Sequence, residues 1–203
     1  MEDKIFVEDV VVPLLAKPSN DKDKFRFIGS GFFIGSEGFL LTCRHVVEGI
    51  AKNETIEAFQ IGKRRTLELK IINKSNEPDL VLCKTSIPPD IVEPWPIVAD
   101  PYISMASEVE LFGYVYEPLG PHEIPFRQRY MKGYVTGIPR ETTYKDSFEL
   151  SFPVLFGMSG SPLIFKFHIE GDSNQRVGIA GCAYGCHESH IVKHSVISTE
   201  NEV

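Results

Sequence analysis

The stretch Glu108-Val-Glu-Leu-Phe-Gly-Tyr-Val alternates polar and apolar side chains, as a strand does when one face meets a core and the other meets water. Similar short segments, rich in β-branched and aromatic residues, recur at 5–15, 25–34, 39–42, 66–72, 80–84, 108–116, 129–137, 147–152, 162–168 and 176–184. Turn chemistry separates them: Gly35-Ser-Glu-Gly, Asn73-Lys-Ser-Asn, Pro118-Leu-Gly-Pro and Glu170-Gly-Asp-Ser-Asn. Only His45 to Lys52 reads as helix, about two turns of it. Strands this short and this often interrupted point to an all-β sandwich or barrel. The proline-rich run from Pro88-Pro89 through Pro94-Trp-Pro96 to Pro101 divides them into two similar sets, so two small β barrels are expected, over 1–95 and 96–203.

Composition narrows the function. The chain has 203 residues, 42% of them hydrophobic and 24% charged, enough to build a substantial core. A net charge of -7 disfavours a phosphate-backbone binder, so no nucleic-acid partner is expected. The one basic cluster, Lys63, Arg64 and Arg65, reads as a solvated turn. The sequence begins Met-Glu-Asp-Lys and its apolar run Val10 to Ala16 is interrupted by Pro13, which suits neither a signal peptide nor a membrane span. A cytoplasmic location and no membrane partner are expected. Cys43, Cys83, Cys182 and Cys186 show no paired zinc-type spacing and read as reduced, partly buried thiols.

Three stretches carry chemistry. Leu40-Leu-Thr-Cys-Arg-His45-Val-Val ends a strand in a histidine, Asn76-Glu-Pro-Asp79-Leu-Val-Leu starts one with an acid, and Gly157-Met-Ser159-Gly-Ser-Pro sets a hydroxyl in a glycine-flanked bend. A serine hydroxyl is a poor nucleophile at neutral pH; acyl transfer needs an imidazole to take its proton and a carboxylate to hold that imidazole in the right tautomer. His45, Asp79 and Ser159 supply those types. Gly157 and Gly160 let the backbone bend sharply enough to aim the amides of Gly157 and Ser159 at one oxyanion. Read singly, Ser159 is a Gly-Ser turn, His45 a satisfied core histidine and Asp79 a turn residue after Pro78. Asp90 and Asp100 also lie near loops and compete for the acid's place.

Together, Gly29-Ser-Gly-Phe-Phe-Ile, Thr42-Cys-Arg-His45-Val-Val, Asp79-Leu-Val and Gly157-Met-Ser-Gly-Ser-Pro162 resemble the motifs of chymotrypsin-fold serine peptidases, especially the bacterial trypsin-like group that includes HtrA-type proteases. The resemblance implies two six-stranded antiparallel β-barrels with the active site in the cleft between them. It implies Ser159 as nucleophile, His45 as general acid and base, Asp79 as its orienter, and the Gly157 and Ser159 amides as oxyanion hole. It places Pro153 at the floor of the primary specificity pocket, with Gly181, Cys182 and Ala183 beside the substrate, and Gly181 in place of a serine that often touches the triad acid. With no carboxylate at 153, an apolar residue before the cut is expected. Met158 stands where digestive members have an acid that pairs with a new N-terminus, so activation through that ion pair is not available.

Two functions compete: a serine endopeptidase acting on polypeptide through an acyl-enzyme, and a pseudoprotease that uses the same double barrel as a peptide-binding or scaffold module. A non-proteolytic esterase is a third reading. The run Cys182-x3-Cys186-His187-x2-His190-x3-His194 does not match common structural zinc spacings, and no phosphate loop or cofactor fingerprint occurs, so neither metal nor cofactor is expected. After Cys186 one or two more strands are expected. Further domains or a regulatory protein partner in the native polypeptide are left open.

Overall fold

In the computed structural model, the described residues are 7–21, 24–75, 78–90, 95–98, 103–117, 125–138, 147–168 and 175–184. Six strands close into an antiparallel barrel: β1 (Val11–Pro18), β2 (Arg26–Ile34), β3 (Phe39–Cys43), β4 (Glu54–Gln60), β5 (Arg65–Lys74) and β6 (Leu80–Thr85), paired in the order β1-β2-β3-β6-β5-β4. Closure follows because β1 pairs with β2 on one side and β4 on the other. Pro13 lies in the part of β1 that pairs only with β2, so its missing N–H leaves the β4 ladder intact.

The strand expected over 5–15 begins instead with a helical turn, α1 (Val7–Val10), carrying Glu8 and Asp9 in its first turn. The helix expected over 45–52 is one turn, α2 (Arg44–Glu48), ending at Gly49. β4 has no counterpart in the sequence reading. Its inward positions are Ile56, Ala58 and the fully buried Gln60, so the apolar alternation fades at the third step. Gln60 is satisfied in place: its amide donates to Pro89 O at 2.8 Å and its carbonyl accepts from Arg65 Nε at 2.8 Å. The turn holding Lys63 and Arg64 is solvent-facing, with Lys63 Nζ 2.7 Å from Asp90 Oδ2.

The second half forms a sheet ordered β11-β10-β7-β8-β9, from β7 (Glu108–Tyr116), β8 (Phe126–Gly137), β9 (Glu149–Leu150), β10 (Pro162–His168) and β11 (Gln175–Cys182). Among the described residues it has five strands and is open, where a closed six-stranded barrel was expected. The strands expected after Cys186 lie outside the described residues.

Three clusters make the core. Val12, Leu14, Phe33, Leu40, Ile56, Leu67 and Val81 fill the barrel; Val109, Leu111, Val135, Met158, Leu163 and Phe165 cover the second sheet. Between them, Val11, Leu15 and Phe32 from β1 and β2 pack on Tyr114, Phe126 and Ile179 from the second sheet. This explains the unbroken apolar run of β1: Val12 and Leu14 face the barrel interior while Val11 and Leu15 face the other half, so both sides of the strand are buried.

Candidate active site

Strand register brings the first two groups together. Cys43 at the end of β3 pairs with Leu80 at the start of β6, so the chain leaving β3 and the chain entering β6 meet at one barrel rim. His45 stands two residues past Cys43, in α2, and Asp79 one residue before Leu80. His45 Nδ1 lies 2.5 Å from Asp79 Oδ2, and the His45 backbone N–H donates to Asp79 Oδ1 at 3.2 Å. The Arg44 backbone N–H donates to Asp79 O at 3.3 Å, and Arg44 Nε lies 3.5 Å from Asp79 Oδ1. The carboxylate is thus fixed at both oxygens. Of the other two acids, Asp90 pairs with Lys63, and Asp100 lies outside the described residues.

The 157–160 bend reaches the same region from the second half. Gly157 has φ +96° and Gly160 φ +90°, conformations that side-chain-bearing residues rarely adopt. A Cβ on Gly160 would stand 1.9 Å from Ser30 O and 2.4 Å from Thr42 Oγ1, so only glycine fits. Within the bend, Met158 N–H donates to Leu155 O, Gly160 N–H to Ala183 O and Ser161 N–H to Met158 O. The amides of Gly157 and Ser159, between these, have no acceptor among the described residues. Met158 itself is buried in the second core.

Ser30 of β2 ties the bend to the barrel, a role the sequence reading did not assign. Its N–H donates to Ser159 O at 2.9 Å, its hydroxyl donates to Gly157 O at 2.9 Å, and the same hydroxyl accepts the Tyr114 N–H at 2.9 Å. Thr42 Oγ1 in turn donates to Ser30 O at 2.7 Å. The serine is fully buried and joins β2, β7 and the bend. A Cβ on neighbouring Gly29 would touch both Val46, next to His45, and Ser159 O, so the His45 turn and the Ser159 backbone flank one glycine. Among the described residues no hydrogen bond joins His45 to Ser159; such contacts commonly tighten only when substrate is bound.

A profile of the trypsin-like peptidase domain matches residues 29–166, a span holding Ser30, His45, Asp79 and Ser159. The chain belongs to the trypsin-like peptidase family. No curated protein sequence matches this family member significantly. Among solved structures, "HtrA-type protease AlgW with decapeptide" superposes with a TM-score of 0.59 at 16% identity over 86% of this chain, which spans 60% of that one. Deg5 gives 0.57 at 18% identity, over 77% of this chain and 74% of that one. These likenesses show a shared fold with HtrA-type proteases.

In this trypsin-like domain the remaining expected positions lie as follows. Pro153 is exposed, with Phe152 and Val154 packed on the second core. Ala183 is buried, and a Cβ on Gly181 would meet only open space. From β11 it is Cys182, rather than residue 181, that reaches the barrel: its Sγ lies 3.8 Å from Cys43 Sγ. The hydrogen bond with Cys43, burial and the nearby Asp79 carboxylate push the Cys182 thiol up. No helix among the described residues is long and apolar enough to cross a membrane.

Proposed function

We propose that the protein is a serine endopeptidase that cleaves polypeptide through an acyl-enzyme, with Ser159 as nucleophile, His45 as general base then acid, and Asp79 as its orienter. The single observation that carries this is the His45–Asp79 pair: a carboxylate oxygen 2.5 Å from Nδ1 keeps the proton on that nitrogen and leaves Nε2 free to accept from a hydroxyl. The tautomer is the one a base needs. In the proposed reaction His45 Nε2 takes the Ser159 proton as Oγ attacks the carbonyl, then returns it to the leaving amine, and water repeats the cycle on the ester. The acceptor-free amides of Gly157 and Ser159 support their assignment as oxyanion donors, because a donor already committed elsewhere would have to be freed first.

Substrate would add as a strand. β11 is the edge of its sheet, covered by residues 96–98 around Ile179 but pairing only with β10 at Gly181 and Cys182 among the described residues. Such an edge offers main-chain hydrogen bonds to an extended peptide. Pro153 brings no charge, and Phe152, Val154 and Ala183 are apolar, so a residue with an apolar side chain is expected before the cut. Digestion of a peptide library tests the reading. Wild type should cleave after apolar residues and Ser159→Ala should not; equal products from both, or none from either, would favour the scaffold reading.

A further inference from the structure

We infer that Arg44 is a positioning residue of the proposed triad: its guanidinium, held at the far end by Glu48, fixes Asp79 so that Oδ2 faces the His45 ring. Arg44 opens α2 and Glu48 ends it, so their side chains share one face of the turn. Arg44 Nη1 donates to Glu48 Oε1, and Nε of the same guanidinium lies 3.5 Å from Asp79 Oδ1. One planar cation thus bridges two carboxylates, one from its own helix and one from the residue before β6. The torsion that turns an aspartate's carboxylate is broad, so its partners must set the plane. Oδ1 accepts the His45 backbone N–H at 3.2 Å, at the long end of the hydrogen-bond range, and Oδ2 meets His45 Nδ1 at 2.5 Å. Both of those groups belong to His45. Among the described residues, Arg44 brings the other side chain to the carboxylate.

The contact is poised to tighten. Arg44 Nε is buried and has no hydrogen-bond partner among the described residues, a costly state for a donor on a charged group. Moving about 0.5 Å toward Asp79 Oδ1 would bring it into hydrogen-bonding range. A cation beside Asp79 also competes for the carboxylate with the imidazolium that forms when His45 takes the Ser159 proton. Glu48 decides the balance. Paired with Arg44, it offsets the guanidinium's charge and leaves the direction of its N–H groups, so orientation outweighs the competing charge. The end of α2 that bears Glu48 is anchored in turn, since Arg26 Nη2 donates to Gly49 O and to Glu54 Oε2 on β4, each at 2.8 Å. The effect on rate rests on the peptidase reading, whereas the hold on the His45 tautomer does not.

The test uses the whole chain. Arg44→Met keeps an aliphatic stem and removes the charge and the donors. It should lower kcat roughly 10- to 100-fold with KM little changed, since the base is misaimed while the substrate's own contacts stay. Arg44→Lys should recover part of that loss, as a point charge that reaches Asp79 but cannot also hold Glu48. Glu48→Gln should cost less than about tenfold. Nitrogen-15 NMR of the neutral His45 ring reads the tautomer itself: the proton sits on Nδ1 in wild type, and a share of it should move to Nε2 in Arg44→Met, which a merely structural role would not cause. A tautomer unchanged in Arg44→Met overturns the inference whatever the rate does. A rise in kcat overturns it too, because competition for the carboxylate would then outweigh orientation. If Arg44→Met did not fold, Glu48→Gln, whose side chain is 49% exposed, would decide, and wild-type rate and tautomer there would overturn the inference. The tautomer shift without cleavage by wild type would sink the peptidase reading alone; cleavage by wild type and Arg44→Met at equal rates, with one tautomer in both, would sink only this one.

Discussion

In the barrel, His45 and Asp79 meet because β3 and β6 are neighbouring strands in fixed register, 34 residues apart in sequence but opposite one another at the rim. On the other side, the bend carrying Ser159 draws its hydrogen-bonded anchors from elsewhere: Ser30 in β2, Tyr114 through Ser30, and Ala183 after β11. One pair is held by a sheet ladder, the other group by a few hydrogen bonds, of which those made by Ser30 cross between halves. The proposed dyad is therefore a property of one closed barrel, while placement of the nucleophile depends on how the two halves are joined. Local damage should act differently on each.

The largest effect is expected from breaking the barrel side chemically without moving it. Asp79→Asn keeps the shape but offers Nδ1 a side chain that can donate, so the ring loses its tautomer preference; kcat should fall by about 10⁴-fold with KM little changed. Steady-state kinetics on the cleaved peptide checks this, and a loss below tenfold would mean that Asp79 is not the orienter. Next comes the junction. Ser30→Ala removes the hydroxyl that donates to Gly157 O and accepts from Tyr114 N–H, leaving two buried groups unpaired, and should cost about 1–3 kcal/mol of stability in denaturant unfolding. It should also lower kcat with the His45–Asp79 pair intact, so the His45 proton resonance should stay put in NMR spectra. A shifted resonance would show that the two sides are not separable.

The smallest effect sharpens the barrel side alone. Arg26 donates to both carboxylate oxygens of Glu54 and to Gly49 O, tying β2 and β4 to the end of α2. The Arg26 hydrogen bond, then the Ala51 N–H, hold the Glu54 carboxyl down at about 2, against an ordinary value of 4.5. Because the folded value is the lower one, the contribution is fully present above 4.5 and fades as pH falls toward 2. Glu54→Gln should therefore unfold slightly earlier than wild type at neutral pH, and the gap should narrow through that acid window. A gap that stays constant would mean the pair does not clamp α2.

The sequence carried the strands and the three motif stretches because both are local signals. β7 alternates from Glu108 to Phe112 and then buries Gly113, Tyr114 and Val115 in succession, with exposed Glu108 and Tyr116 marking its limits. β4 stayed hidden because its third inward residue is Gln60, whose amide finds buried partners that no local pattern announces. Asp79 could not be separated from Asp90 until register placed it beside His45 and the Lys63 pair occupied the other. Ser30 looked like a polar step in an apolar strand; its partners lie 84 and 127 residues away, so only the assembled halves show what it holds. The same holds for Cys182, which faces Cys43 across 139 residues while residue 181 faces open space.

The most direct measurement is covalent labelling of the native chain with a fluorophosphonate, read by mass spectrometry of the peptide spanning residue 159. The account predicts one adduct, on Ser159, that disappears in His45→Ala and is absent from unfolded protein. A native, folded chain that takes no label, or takes it on another serine, would contradict the convergence of His45, Asp79 and Ser159 on which the peptidase reading stands.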